Sequence, residues 1–242
     1  MTIETKKEKN INKKYGFLRK LLAYTIPDSQ KLKIIANMST LKTWEQKQTS
    51  CPTFETRYEM YDFIQKKCLD NESIDYLEFG VFEGKSIDYW RKLNQNPQSR
   101  FYGFDTFTGL PEEWKNLLAD VPSGTYTANG NLPKIDDKRV MFYKGLFQET
   151  IDPFLEKYQP SEKIVIHNDS DLYSSSLYLL TRLDDIIKKN TIIIFDEFAN
   201  VMHEFRALED YCSAYQRTYL SLIHISEPTR PRLISYAVFC LK

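Results

Sequence analysis

Acidic side chains stand at the ends of most predicted strands in this 242-residue chain. Ligands of parallel sheets bind at the carboxyl ends of the strands, so carboxylates in these positions are expected to share one rim. Any single acid is more simply explained as a helix cap or a solvated loop residue. Acids at four of the five strand ends instead favour a ligand with hydroxyl groups and positive charge. The residues concerned are Glu78, Asp105, Asp169 with Asp171, and Asp196 with Glu197.

The first of these strands runs into a glycine turn and then a helix. Residues 74–86 read IDYLEFGVFEGKS, with Gly80 and Gly84 bracketing the turn. Such a unit points backbone N–H groups and a helix N-terminus at a bound ligand. It is not a P-loop, because three residues separate the glycines where four are required, and Glu83 would face the phosphates. The G-x-G-x-x-G fingerprint is absent as well, so polyphosphate and dinucleotide ligands are disfavoured.

S-adenosylmethionine is a ligand of the required kind, since it carries ribose hydroxyls, an ammonium and a sulfonium. Asp105 closes the second predicted strand, where an acid accepts the ribose hydroxyls in nucleotide-binding folds. The sulfonium is an activated methyl donor, so an enzyme using it must align an acceptor oxygen and remove its proton. His167, just before Asp169, is a candidate base, although a core histidine at the end of a buried strand is the commoner case. His203 and Glu204 are further candidates to face the site.

The elements that must position these residues alternate along the chain. Near-continuous apolar strands separated by helices are typical of a parallel sheet with both faces covered. We therefore expect an α/β fold, a Rossmann-like doubly wound and mostly parallel sheet with helices on both faces. A long loop is expected at 120–137, and a short helix after Pro111. Strands are expected at 74–79, 100–105, 139–144, 163–168 and 191–195, and helices at 53–69, 86–93, 150–158, 174–188 and 203–215.

Charge and cysteine content disfavour several classes of protein. With 33 basic and 33 acidic residues, the chain lacks the basic excess that phosphate neutralisation needs, so nucleic acid is not an expected partner. The 4 cysteines show no metal-binding spacing. No apolar run approaches the ~20 residues of a transmembrane span, and no signal peptide is recognisable. We expect a cytoplasmic protein without a transmembrane segment.

Four segments, in order and each at a strand end, carry a family resemblance. They resemble class I S-adenosylmethionine-dependent methyltransferases and, more narrowly, the macrocin O-methyltransferase family, over about residues 53–215. The resemblance implies methyl transfer to a hydroxyl of a sugar or other small metabolite, with a divalent metal, usually Mg²⁺. The segments are EFGVFEGKS (78–86), FDTFTGLP (104–111), NDSDLYSS (168–175) and IFDEF (194–198).

The resemblance also implies roles for individual residues. Asp169, Asp196 and Glu197 take the positions of the metal ligands, although the family commonly has a second Asp where this chain has Glu197. Carboxylate oxygens suit Mg²⁺, and Asp169 is also expected to take part in catalysis. Two alternatives stay open: a metal-independent methyltransferase of the same fold, and a nucleotide- or sugar-binding module without chemistry. The implied cofactor contacts are Glu78, Gly80, Gly84, Ser86 and Asp105.

We expect three regions along the chain. Residues 1–50 form a basic N-terminal helical extension. Its amphipathic part, Tyr15–Leu22, either lies on a membrane surface or, as we favour, packs against the protein or in an oligomer contact, so a homo-oligomer is a possible state. Residues 51–219 form the methyltransferase domain, and residues 220–242 form a separate tail.

The tail resembles translated sequencing-adapter read-through. A transposase-type adapter yields residues 220–230 and, after its index, residues 234–241 in the same frame. The alternative is a genuine C-terminal strand, because residues 235–241 are apolar and β-prone. We expect the natural sequence to stop near Tyr219, so that the C-terminal strand pair of the sheet is truncated, which would leave the chain marginally stable and could leave it inactive.

Overall fold

A computed structural model describes residues 29–47, 52, 54–116, 120–224 and 237–241 of the chain. The chain divides into two compact units, residues 1–36 and 37–242. A helix, α1, spans Gln30–Gln46, and its first residues are what is described of the smaller unit. The amphipathic segment predicted at Tyr15–Leu22 lies outside the described residues. The fold and the site described below belong to the larger unit.

Seven strands form one sheet: β1 (Asp75–Phe79), β2 (Arg100–Asp105), β3 (Val140–Lys144), β4 (Ile164–Asn168), β5 (Ile192–Phe195), β6 (Tyr219–His224) and β7 (Ala237–Leu241). Their order across the sheet is β3-β2-β1-β4-β5-β7-β6. Strands β1 to β5 pair in parallel, whereas β7 is antiparallel to both β5 and β6. The expected Rossmann-like, mostly parallel sheet is confirmed.

Of the described helices that cover the sheet, one precedes β1 and the others follow β1, β3, β4 and β5. They are α2 (Arg57–Ile64, continued by a π-helical turn at Gln65–Leu69), α3 (Lys85–Leu93), α4 (Phe147–Leu155), α5 (Tyr173–Arg182) and α6 (Glu204–Tyr215). The short helix expected after Pro111 is not among the described elements. Trp114 and Val121 instead pair their backbones, each N–H donating to the other's carbonyl at 2.8 Å. None of the described helices is both long and apolar enough to cross a bilayer.

The two faces of the sheet are packed by different aromatic side chains. On one face, Phe79, Phe104 and Tyr143 stack across three neighbouring strands, with ring centroids 4.7 and 4.8 Å apart. On the other face, Tyr76 packs against Trp90 of α3 at 5.2 Å. Because both faces are covered, every residue of β1, β4 and β5 is buried, which explains their near-continuous apolar sequence.

The antiparallel edge of the sheet is occupied by β6 and β7. Phe239 of β7 is fully buried, and its ring lies 5.7 Å from Phe195 and 5.1 Å from Phe198. A C-terminal strand pair is therefore present where the sequence analysis expects a truncated one. It is built mostly from residues 220–242, whose origin as an adapter-derived tail stays a prediction.

Candidate active site

The glycine turn after β1 brings the ends of β1 and β4 into contact. Gly80 has a φ of +92°, and a Cβ there would lie 1.8 Å from the carbonyl oxygen of Asp169. The Asp169 N–H donates to the carbonyl of Phe79 at 2.9 Å. Gly84 has a φ of +78° and would place a Cβ 2.7 Å from the Pro133 side chain. The absence of a side chain at Gly80 thus lets Asp169 lie beside the turn. The absence of one at Gly84 likewise lets the loop at 120–137 pack against the turn.

Asp105 organises this same turn. One carboxylate oxygen accepts the N–H groups of Val81 and Phe82 at 2.7 and 2.8 Å, and the other accepts that of Phe107 at 2.6 Å. Phe82 has a φ of +50°, a left-handed conformation that these bonds hold in place. The sequence analysis expects Asp105 to accept both ribose hydroxyls. In the structure the carboxylate is already engaged by three backbone donors, and the oxygen facing Phe107 retains capacity for another.

A cleft opens beside Asp105, at the carboxyl ends of β2 and β3. Its volume is about 500 Å³, within the usual size range for a cofactor or small-ligand site. Its position follows the rule that ligands bind beyond the carboxyl ends of parallel strands. The lining residues are Thr106, Thr108 to Pro111, Lys144 to Leu146 and Glu149.

The second part of the site is an acidic cluster beyond β4 and β5. A ring nitrogen of His167 and carboxylate oxygens of Asp169 and Asp196 all lie within 4.8 Å of one another. Asp196 is only 5% exposed and His167 is fully buried. Within the described part of the chain, Asp196 Oδ1 and His167 Nε2 have no hydrogen-bond partner. Buried polar atoms rarely lack a hydrogen-bond partner, and here two such atoms belong to one cluster.

Arg57 supplies a positive charge to this cluster. It is the first residue of α2, whose start is capped by the Thr56 hydroxyl accepting the Glu59 N–H at 3.2 Å. Its guanidinium lies 3.4 Å from Asp196 Oδ2 and 3.8 Å from Asp169 Oδ2. These are loose contacts for an ion pair, and no other described residue pairs with Asp196 Oδ1.

Ser86 and Tyr61 lie on the other side of Arg57. The buried Ser86 hydroxyl is 3.5 Å from Arg57 Nη1 and accepts the Tyr61 hydroxyl at 3.4 Å. Ser86, predicted as a cofactor contact, therefore connects the start of α3 to the acidic cluster through Arg57. Arg57 carries no motif that would have revealed it in the sequence.

Asp171 and Glu204 add two more carboxylates to the cluster. Burial raises the pKa of Asp169 well above its usual value, and Asp196 and Asp171 raise it further, although its side chain is 25% exposed. Burial and Asp196 raise the pKa of Asp171 to about 8. Burial, Asp171 and Asp196 raise the pKa of Glu204 well above its usual value. The carboxylates outnumber the positive charge near them, which is an environment suited to a cation.

Glu204 occupies a position that the sequence analysis noted without giving it a role. It is fully buried, one oxygen accepts the Glu197 N–H at 2.9 Å, and the other has no partner among the described residues. Glu197, predicted as a metal ligand, approaches through its backbone, and its carboxylate is not among the three grouped ligand atoms. His203 is held elsewhere, between the Tyr173 N–H and the Lys115 carbonyl.

The donor set fits a divalent cation. Two carboxylates and one imidazole nitrogen converge, Asp196 Oδ1 and His167 Nε2 are buried without a hydrogen-bond partner in the part of the chain that is described, and further acids surround them. Carboxylate oxygens are ligands for Mg²⁺ and Mn²⁺, and an imidazole nitrogen shifts the preference towards transition metals. The residues present would therefore hold such an ion through Asp169 and Asp196, with His167 adjacent.

Glu78, a predicted cofactor contact, lies one strand away from the cluster. It is 1% exposed, and its Oε2 accepts the Tyr76 hydroxyl at 2.8 Å. The same hydroxyl is 2.8 Å from His167 Nδ1, which makes a chain of three buried polar groups. The pairing of β1 with β4 sets Glu78 directly opposite His167.

A mostly parallel sheet with a glycine turn after β1, a cleft at the strand ends and an acidic rim is the arrangement expected of an S-adenosylmethionine-dependent methyltransferase. The family model described as macrocin O-methyltransferase (TylF) matches residues 57–226. The chain belongs to the macrocin O-methyltransferase family. No curated protein matches it by sequence.

Solved structures of methyltransferases share the fold. The calicheamicin methyltransferase CalS11 is 21% identical, with a TM-score of 0.54 over 97% of this chain and 93% of that one. The O-methyltransferase NovP is 17% identical, with a TM-score of 0.52 over 74% and 78% of the two chains. An O-methyltransferase from Bacillus cereus in complex with SAH is 12% identical, with a TM-score of 0.52 over 93% and 96%.

Proposed function

We propose that this protein transfers the methyl group of S-adenosylmethionine to a hydroxyl of a small metabolite, with a sugar as the favoured acceptor and a divalent cation, Mg²⁺ or Mn²⁺, at the acidic cluster. The observation that carries the proposal is the buried Asp196 Oδ1, which has no hydrogen-bond partner among the described residues, beside the carboxylate of Asp169 and a nitrogen of His167. A sugar acceptor is supported by CalS11, which is described as a TDP-rhamnose 3'-O-methyltransferase.

The cofactor is proposed to lie along the rim formed by the ends of β1 and β2. Gly80 and Gly84 let Asp169 and the loop at 120–137 pack closely against the turn, and Asp105 holds the turn in shape. The cleft beyond Thr106 would take the nucleoside end, and Glu78 and Ser86 lie towards the methionine end. These contacts support Glu78, Gly80, Gly84, Ser86 and Asp105 as cofactor-site residues, some through the backbone that they shape.

The chain's own residues then prepare the acceptor hydroxyl. A cation at the cluster supplies Lewis acidity, which lowers the pKa of a bound hydroxyl. Asp169 and Asp196 would hold it, and the buried side of the cluster excludes water from that face. Asp171 is partly exposed, lies outside the grouped ligand atoms and is close enough to Asp196 for that carboxylate to raise its pKa, so we assign it as the group that takes the proton. His167 is fully buried and bonded to Tyr76, which disfavours it as a base acting directly on the acceptor.

Two measurements test the proposed function. Calorimetric titration of the full chain with S-adenosylmethionine, with and without Mg²⁺, measures cofactor binding. Release of S-adenosylhomocysteine in the presence of a set of nucleotide sugars measures transfer. We expect cofactor binding in both conditions, turnover that EDTA abolishes, and recovery when Mg²⁺ or Mn²⁺ is added back.

The same measurements separate the alternatives. Turnover that persists in EDTA indicates a metal-independent methyltransferase and removes the metal role of Asp169 and Asp196. Binding of a nucleotide sugar without binding of S-adenosylmethionine indicates a module without chemistry.

A further inference from the structure

Three buried polar side chains form a hydrogen-bonded chain that ends at the proposed cation site. Tyr76 and His167 are fully buried and Glu78 is 1% exposed. The Tyr76 hydroxyl lies 2.8 Å from Glu78 Oε2 and 2.8 Å from His167 Nδ1. The Glu78 oxygen and His167 Nδ1 are themselves 3.9 Å apart, so the hydroxyl is the group that connects them.

The chemistry of the three groups sets the direction of the hydrogen bonds. A tyrosine hydroxyl carries one proton, and a carboxylate can only accept. Tyr76 therefore donates to Glu78 and must accept from His167, which places a proton on Nδ1. A neutral ring with Nδ1 protonated carries its lone pair on Nε2.

The second ring nitrogen of His167, Nε2, makes no hydrogen bond in the described part of the chain. His167 Nε2 is buried and without a hydrogen-bond partner, and the ring contributes a nitrogen to the group within 4.8 Å of the carboxylates of Asp169 and Asp196. A lone pair in such a place costs free energy unless something accepts it. A metal ion is an acceptor that the adjoining carboxylates would also bind.

We propose that His167 is a nitrogen ligand of the cation site, and that Tyr76 is a positioning residue that holds its ring as the Nδ1–H form. The proposal rests on the cation site of the proposed function and adds a ligand that the sequence analysis did not assign. Partners that orient a ligating histidine in this way commonly contribute 10- to 100-fold to metal affinity. A nitrogen ligand also predicts tighter binding of Mn²⁺ than of Mg²⁺.

The test uses Mn²⁺ as a paramagnetic probe on the full chain after removal of metal with EDTA. Electron spin-echo spectroscopy of bound Mn²⁺ detects a directly bound imidazole nitrogen, and labelling the histidines with ¹⁵N identifies the coupling as theirs. We expect a histidine nitrogen coupling that His167→Gln abolishes. Tyr76→Phe is expected to weaken Mn²⁺ binding at least about 10-fold.

Tyr158→Phe is the matched control. Tyr158 also donates its hydroxyl to a buried carboxylate, that of Asp75 at 2.7 Å, but at the opposite end of the sheet. Both variants lose a buried hydrogen bond and keep the aromatic ring, so a general loss of stability would affect them alike. Mn²⁺ affinity is expected to stay unchanged in Tyr158→Phe.

Each outcome decides the proposal. Mn²⁺ bound without histidine nitrogen coupling overturns it while leaving the cation site in place. Absence of Mn²⁺ binding in the unsubstituted protein overturns both the ligand and the cation site, and methyl transfer is judged separately by the release of S-adenosylhomocysteine. The coupling in the unsubstituted protein needs no variant, so poor folding of Tyr76→Phe does not remove the test. A ¹⁵N NMR spectrum that shows the proton on Nε2 of His167 also overturns it.

Discussion

Asp75, the first residue of β1, and Asp196, the residue just after β5, are both buried acids at opposite ends of the strands, and they differ in how completely they are paired. Asp75 accepts two hydrogen bonds from Arg100, one from the Tyr158 hydroxyl and one from the Ser161 N–H, all between 2.7 and 2.8 Å. Asp196 has one guanidinium at 3.4 Å and an oxygen without a partner in the described residues. The buried acid at the amino ends of the strands therefore has a full set of hydrogen-bond partners, and we call this the complete end of the sheet. The buried acid at the carboxyl ends lacks a partner among the described residues, and we call this the incomplete end.

This difference distinguishes a buried acid that stabilises the fold from a buried acid that belongs to a binding site. A buried carboxylate with four donors fixes the start of β1 and needs nothing further. A buried carboxylate with an oxygen that has no partner among the described residues, beside other acids, is stabilised when it is protonated or when it binds a cation. Parallel sheets bind ligands at this incomplete end, so the missing partner of the buried carboxylate indicates a ligand site there.

The largest effect is expected at the complete end. Asp75→Ala removes the acceptor for four donors, two of which come from an Arg100 that then lacks its partner. We expect the free energy of unfolding to fall by about 3 kcal/mol, measured by urea denaturation. Mn²⁺ affinity per folded molecule is expected to stay the same. A loss below about 1 kcal/mol would show that Asp75 is not the anchor that its contacts indicate.

The opposite behaviour is expected at the incomplete end. Asp196→Asn removes a ligand charge, so Mn²⁺ affinity should fall by about 100-fold, with metal-dependent turnover lost. Without metal, the variant should be as stable as the unsubstituted protein or more so, because Asp169, Asp171 and Glu204 lose a neighbouring negative charge.

Asp152→Asn is the control for this change. Asp152 pairs with Arg182 on the surface, where both side chains are 47% exposed. Its substitution should alter neither Mn²⁺ affinity nor stability by a measurable amount. Strong destabilisation by Asp196→Asn in the absence of metal would place Asp196 with Asp75 among the structural acids.

A smaller effect, visible through its pH dependence, is expected at Asp137. Arg139 donates to Asp137 and to the carbonyls of Arg91, Asn94 and Asn96, so the pair closes the end of α3. The hydrogen bond from Arg139 lowers the pKa of Asp137. A lowered pKa stabilises the fold above the unfolded-state value of about 4, and this contribution is lost as the pH falls through the lower folded-state value.

The measurement compares Asp137→Asn with the unsubstituted protein across pH. We expect the variant to be less stable by about 1 kcal/mol from pH 7 down to pH 5 or so, and the difference to shrink below about pH 4. A difference that grows on acidification would contradict the assignment. Cofactor and Mn²⁺ binding at pH 7 should not change, since neither Asp137 nor Arg139 is among the proposed cofactor or metal contacts.

Much of the fold could be predicted because it depends on local pattern. β2 is found at the predicted residues and β4 and β5 begin one residue later, since buried parallel strands are continuous apolar runs. Element ends were less certain: α4 starts at Phe147 rather than Thr150 and α5 stops at Arg182 rather than Lys188. Among the described residues after Pro111, the expected short helix is absent, because Trp114 pairs its backbone with Val121 instead of with its helical neighbours.

The candidate site was predictable only as far as strand ends determine it. Asp169 and Asp196 follow neighbouring strands, so sheet topology alone brings them together. Tyr76 reads as an ordinary core aromatic, and Arg57 as a charge at the start of a helix. Their roles come from tertiary contacts across 91 and 139 residues of sequence, for which the chain carries no local signal.

The smallest effect is expected at Glu197, where the family resemblance and the geometry differ. The resemblance makes its carboxylate the third metal ligand, whereas the three ligand atoms that lie together come from His167, Asp169 and Asp196. Glu197→Gln keeps the backbone N–H that donates to Glu204. We therefore expect Mn²⁺ affinity to change less than about three-fold, against about 100-fold for Asp196→Asn.

The comparison of Glu197→Gln with His167→Gln decides which ligand set is correct. If Glu197→Gln weakens Mn²⁺ binding as much as Asp196→Asn and His167→Gln does not, the site is the all-carboxylate one that the family resemblance implies. In that case the unpartnered nitrogen of His167 is a cost of burying a histidine at the end of β4. If His167→Gln has the larger effect, the incomplete end of the sheet is completed by a cation that binds both oxygen and nitrogen, and its affinity should follow the order Mn²⁺ above Mg²⁺.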